Sequence, residues 1–266
     1  MKISVFFKCL KLQTRKSYHR YVKNYDVVKS LAEEPLCVMD KGFRNKELSE
    51  TSAEAVFGYT EMHKRLVDRY GLHQIAVGKT DFERAVNVME WLTANTFYNG
   101  AQITMLKDNG IDILDYSFGK PFLKAINCRN KAIAFADCLV SVGIKAYPVC
   151  MISSGFREGC HFTCHVYLKE LDKWCAFDPS FGCWFTDKNG RFLDLFEIRD
   201  IFMDGAEPEI NGYNFNGTTE CKDVYMNSFL KLSLSNLSTW KDNSAEGRTG
   251  KKWNEKKKFE SKIPKV

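Results

Sequence analysis

The chain has 266 residues, 44% of them hydrophobic and 14% aromatic, with a formal net charge of +6. That length suits one large domain, or a domain with an accessory region, and the composition excludes a disordered chain. No apolar run approaches the roughly 18–20 residues that span a bilayer. Lys2, Lys8 and Lys11 interrupt an apolar N-terminus that has no small-residue cleavage site after it, which argues against a secretory signal. A cytoplasmic setting without integral membrane association is expected.

The charge is uneven. Residues 1–24 hold seven Lys/Arg and no acid, and residues 244–266 hold eight Lys/Arg against three Glu, so the body between them is mildly acidic. Basic ends of this kind read as solvated segments. Nucleic-acid binding calls for a basic face with stacking aromatics, and Trp253 and Phe259 are too few to supply it. No nucleic-acid partner is expected.

In chain order, residues 1–79 read as a helical accessory region, with Glu61–Tyr70 carrying Met62, Leu66, Val67 and Tyr70 at helical spacing before Gly71. Thr80 and Glu83 form a capping box that opens the next helix. Its apolar stripe is Ala85, Val88, Met89 and Leu92, and it should stop before Tyr98-Asn99-Gly100. Ile111–Tyr116 reads as a short helix. A longer one starts at Asn127 and runs to Val142, with Gly143 suited to the position after its end. Strands follow at Ile144–Met151, His161–Leu168 and Trp174–Phe177, with a loop at 153–159 and a turn at Lys169–Lys173. Phe181–Phe185 is a further strand, Leu195–Phe202 a helix, Asn211–Thr219 a loop, and Tyr225–Leu232 a last helix. A helix followed by an antiparallel meander is an α+β pattern, not an alternating βαβ one.

Ten cysteines suggest a disulfide scaffold at first sight, but Cys128, Cys138, Cys150, Cys164 and Cys175 mostly sit inside apolar runs, as reduced core thiols do. The Cys160-His161 and Cys164-His165 pairs invite a zinc site. Strand alternation, however, sends the histidines to one face and the cysteines to the other, so they cannot surround one ion. No metal is implied, and no Gly-rich phosphate loop suggests a nucleotide cofactor.

Cysteine chemistry is the better reading. Cys128 stands at the start of a helix, where free N–H groups and the macrodipole favour an anion and can stabilise an oxyanion. A base and a group that fixes its tautomer complete such a site. His161 and Asp178 offer both, 17 residues apart across a hairpin that sets two strands side by side. His165, on the same strand face, is the competing base.

Three motifs carry a resemblance. Asn127-Cys128-Arg129 with Ala136-Asp137-Cys138-Leu139 and Val142-Gly143-Ile144-Lys145-Ala146 resembles the nucleophile helix of transglutaminase-like proteins. Residues 160–168, Cys-His-Phe-Thr-Cys-His-Val-Tyr-Leu, resemble that family's base strand, His-x-x-x-Glu-Val-Tyr. Lys173-Trp174-Cys175-Ala176-Phe177-Asp178-Pro179-Ser180 resembles its Lys-Trp-x-x-x-Asp-Pro-Thr ending. The likeness is to a bacterial subgroup and covers about residues 80–240.

It implies a papain-like α+β fold, a catalytic domain over 80–240 and a Cys128-His161-Asp178 triad; the basic composition beyond it reads as a flexible tail over 241–266. Aligning Val166-Tyr167 with the family's Val-Tyr favours His161 as base and puts His165 where the family has Glu. The implied activity is thiol-dependent acyl transfer on an amide or ester carbonyl, by a peptidase, amidase or transglutaminase, with a protein or peptide substrate and no cofactor. A non-catalytic scaffold of the same fold is the alternative. The Cys128 backbone N–H is one oxyanion donor by position. Trp91, Tyr98 and Asn99 are side-chain candidates without an assignment, and Arg129 is expected to be solvated.

Overall fold

The structure is a computed structural model that describes residues 59–100, 102, 106–120, 124–152, 160–219, 222, 225–230, 234, 236–240 and 248. The helical reading of 1–58, the 153–159 loop and most of 241–266 lie outside the described residues.

Helices α1 (Glu61–Tyr70), α2 (Leu72–Ile75), α3 (Asp81–Asn95), α4 (Gly110–Ser117) and α5 (Cys128–Ser141) come first. Strands β1 (Ala146–Ile152), β2 (Cys160–Leu168), β3 (Lys173–Asp178) and β4 (Cys183–Thr186) follow as a meander. Then come α6 (Leu195–Met203), β5 (Glu209–Asn211), a π-helical turn (Tyr225–Leu230) and β6 (Asn236–Ser238). The strands form one antiparallel sheet in the order β5-β4-β3-β2-β1-β6. The class is therefore α+β, as the sequence pattern implies. Two edge strands went unread because each has only three residues and one buried apolar side chain, Ile210 in β5 and Leu237 in β6. That is too short for period-2 alternation to register.

The local rules act where expected. Glu83 N–H donates to the Thr80 hydroxyl at 3.1 Å while the Glu83 carboxylate accepts from the Thr80 N–H, and Ala85, Val88, Met89 and Leu92 are the buried residues of α3. Gly143 has φ 85°, a left-handed conformation that a Cβ would strain. There its N–H reaches Val140 O and the Ile144 N–H reaches Leu139 O, the two bonds that close a helix end before a strand.

Helix α5 is buried along nearly its whole length because it is sandwiched. The helices α1, α3 and α4 pack on one side and the sheet on the other. The sheet face toward α5 carries Cys150, Phe162, Cys164, Val166, Cys175 and Phe177, whereas Tyr147, Val149, Met151 and Ala176 join a second apolar cluster with α6. Cys128, at the end of α5, touches both clusters. Its location at the seam of the two cores follows from the fold, not from its own chemistry.

A buried ionic knot locks α5 in place. Asp137 accepts from the Gly110 N–H at 2.7 Å, lies 3.8 Å from His63 Nε2, and pairs with the Arg248 guanidinium. Gly110 is needed for that approach, since a Cβ there would sit 2.9 Å from the Asp137 Cβ. Arg248, from the stretch read as a tail, is 1% exposed and also donates from Nε to the Asp108 carbonyl at 3.1 Å. Burial raises the Asp137 pKa, but the charge of Arg248 and then the nearby His63 outweigh it, so the carboxylate is held below its usual range. Removing one partner of a buried pair strands the other. Arg248→Met is expected to lower unfolding free energy by about 3–5 kcal/mol, measured by urea denaturation. Adding Asp137→Asn should restore part of that loss, and a wild-type midpoint in Arg248→Met would contradict the knot.

Candidate active site

The nucleophile candidate is set by the segment before it. Phe97–Asn99 runs parallel to Ile126, with the Asn99 N–H bonded to Ile126 O and the Ile126 N–H to Phe97 O, each at 2.9 Å. Asn216 grips the back of that segment: its Oδ1 accepts from the Tyr98 N–H at 2.8 Å and its Nδ2 donates to Tyr98 O at 2.9 Å. Asn127 then caps α5, accepting the Asn130 N–H at 3.0 Å and donating its own amide to Gln102 O. Cys128 is the first helical residue and is half-buried. The other free thiols among the described residues, Cys138, Cys150, Cys164, Cys175 and Cys183, are buried. Burial drives Cys138, Cys164 and Cys183 well up, and Cys175 to about 12, so these hold their protons.

The base and orienter candidates come from the sheet face opposite α5. His165 pairs with Ala176 across β2 and β3, which puts Asp178 on the same face as His161. His161 Nε2 is 2.6 Å from Asp178 Oδ2, and the two are 1% and 0% exposed. With Nε2 committed to the carboxylate, Nδ1 is the nitrogen left for sulfur, and Cys128 acts electrostatically on this ring. Burial disfavours the imidazolium, but the charge and bond of Asp178, joined by the influence of Cys128, push His161 up to about 10. Cys128, His161 and Asp178 are thus brought together as the sequence pattern expects.

Two further groups address Asp178, neither of which the sequence reading gave a role. Tyr225 donates its hydroxyl to Oδ2 at 2.8 Å, while the Ser180 N–H fills Oδ1 at 2.8 Å. Lys131, one turn after Cys128 on α5, is 1% exposed. Burial brings its ammonium down to about 7 against the opposing charge of Asp178. A lysine inside an apolar helix pattern was the available signal for Lys131. No local signal exists for Tyr225, which lies 47 residues from its partner.

His165 is engaged otherwise. Its Nε2 accepts the Leu195 N–H at 3.2 Å, so Nδ1 carries the proton and donates to the Tyr147 hydroxyl at 2.9 Å. Burial pushes its pKa down to about 3 despite the charge of Glu197, leaving a neutral ring that caps the start of α6. The oxyanion candidates also sort themselves. Trp91 packs in the helical layer against Tyr70 and Phe118, and the Tyr98 ring is buried with Phe181 and Phe215. Of the three, the backbone brings Asn99 beside residue 127. Arg129 is not left to solvent. It pairs with Asp108 and lies 5.7 Å over the Trp240 ring.

No family model and no curated protein matches the chain. Two solved structures do. One is a candidate cysteine protease from Cytophaga hutchinsonii, 14% identical, matched over 62% of this chain and 56% of its own, with a TM-score of 0.37. The other is a transglutaminase (TGase), 12% identical, matched over 63% of this chain and 38% of its own, with a TM-score of 0.29. The chain spans about half the length of the first and less of the second. Similarity at this level carries no weight on mechanism, which rests on the side chains themselves.

The two histidines have opposite linkage to pH. For His165 the folded value lies below the ordinary 6.5, so the unfolded chain binds more protons and stability is lost as pH falls from 6.5 toward 3. For His161 the folded value lies above, so its contribution is full below 6.5 and fades toward 10. His165→Gln should flatten the acid-side slope of stability by about one proton, read from urea midpoints between pH 7 and 4. An unchanged slope would mean His165 is not held neutral.

Proposed function

We propose that the chain is a thiol-dependent acyl-transfer enzyme in which Cys128 is the nucleophile, His161 the general base and Asp178 its orienter. The observation that carries this reading is the buried 2.6 Å contact of His161 Nε2 with Asp178, made by a ring that feels the influence of Cys128 at the start of α5. His161 holds the thiol proton, and its imidazolium, with a pKa pushed up to about 10, is stabilised by the carboxylate. The thiolate attacks an amide or ester carbonyl, forming the C–S bond. The Cys128 backbone N–H, at the helix start, is the donor offered to the developing oxyanion. As the C–N or C–O bond breaks, the imidazolium proton passes to the leaving group and a thioester remains. Water ends the cycle as hydrolysis, or an amine ends it as transamidation. A protein or peptide substrate and a cytoplasmic setting accord with this chemistry.

Exposure to p-nitrophenyl acetate should acetylate Cys128 in the wild type, seen by intact-mass and peptide mass spectrometry, and not in Cys128→Ala. His161→Ala should slow acylation by about 10²–10⁴-fold, while His165→Gln retains most of it. Added primary amine then reports the partition between hydrolysis and transamidation. Failure of the folded wild type to acylate Cys128 would leave the fold as a non-catalytic module.

A further inference from the structure

The tight hold of Asp178 on His161 creates a difficulty for acyl transfer. The same imidazolium that must be formed when the thiol ionises must later release its proton to the leaving group. General acids work best when their pKa lies near the operating pH. A carboxylate that no other donor shared would, despite burial, carry this imidazolium far above that range.

Asp178 is not unshared. Its Oδ2 accepts from His161 Nε2 at 2.6 Å and from the Tyr225 hydroxyl at 2.8 Å, so two donors divide one oxygen. The Tyr225 ring is fixed for that task. It is 1% exposed, lies 4.2 Å from Phe181 and 6.0 Å from Tyr213 between ring centres, and faces the His161 ring at 6.4 Å. Burial and then the charge of Asp178 push the phenol well above its ordinary range, so it stays protonated and can only donate toward the carboxylate.

Resting on the triad reading above, we infer that Tyr225 is a positioning residue that withdraws charge from Asp178 Oδ2 and so weakens its grip on the His161 proton. A donor to the charged form of a carboxylate lowers its basicity, and what the carboxylate gives to Tyr225 it withholds from His161. The thiolate forms the C–S bond, the C–N bond breaks, and the Nδ1 proton leaves with the amine. Tyr225 eases only that last transfer. Its benefit is therefore specific to leaving groups that need a proton.

Other groups around the pair are accounted for. From α5, Cys128 acts on the His161 ring and Lys131 feels the charge of Asp178, titrating at about 7. Cys164 from β2 and Cys183 from β4 feel the same charge, but burial keeps both thiols protonated. Tyr213 acts on Tyr225 and Lys222 on Cys183. Of these groups among the described residues, Lys131 adds a step within the neutral range, so a Lys131→Met background separates it from the step of His161.

The test is the His161 ring titration by NMR with labelled histidine, in Cys128→Ala to remove thiol coupling, with and without Tyr225→Phe. The phenyl ring keeps the packing on Phe181 and loses only the oxygen. Loss of the donor is expected to raise the His161 value by about one pH unit. In the enzyme with Cys128 intact, the ratio of single-turnover acylation by a p-nitroanilide to that by the matching p-nitrophenyl ester should fall about tenfold. An unmoved or lowered His161 titration overturns the inference, as does an equal fall with both substrates, which marks a merely structural role. Neither result touches the triad, which stands or falls on acylation of Cys128 by the ester in the wild type.

Discussion

A carboxylate with no exposure to water dictates much of this molecule. Asp178 ends β3 in the interior, and a buried charge survives only where donors surround it. The fold provides three: the His161 ring, the Tyr225 hydroxyl and the Ser180 N–H. Each comes from a different part of the chain. β2 and β3 must keep their register, the turn after β3 must fold back on its own carboxylate, and the π-helical turn must return across the sheet. The same constraint fixes the orientation of the imidazole, since Nε2 is committed and Nδ1 is what remains for sulfur.

The second constraint is the seating of α5. Its N-terminal residue has to meet a ring projecting from the sheet face opposite the one the helix packs on. That is possible only at the end of the helix, where both apolar clusters meet. Asn127, Asn99 and Asn216 hold the start of the helix through backbone and amide bonds, and the Asp137–Arg248 pair holds its middle. Electrostatics and packing therefore converge on one thiol among several, the half-buried one.

Much of this was legible in the sequence because it rests on local rules. Thr80 with Glu83 marks a helix start, Gly143 marks a helix end, and the alternation from His161 to His165 says which side chains share a face. The motif register favoured His161 over His165. The geometry gives the physical reason that His165 is otherwise occupied: both its nitrogens are bound, one by Leu195 and one by Tyr147. What stayed illegible is long-range. The bonds of Tyr225 to Asp178 and of Arg248 to Asp137 cross 47 and 111 residues, and no periodicity encodes them. Arg129 was read as a solvated helix residue because its partners, Asp108 and Trp240, are distant in sequence.

The most direct test of the account is the pH dependence of Cys128 alkylation by iodoacetamide, compared among wild type, His161→Ala and His165→Ala. The account predicts rapid alkylation of wild-type Cys128 at neutral pH, with His161 acting as its base. That behaviour should persist in His165→Ala and be lost in His161→Ala. An ordinary thiol in all three proteins, or loss confined to His165→Ala, would contradict it.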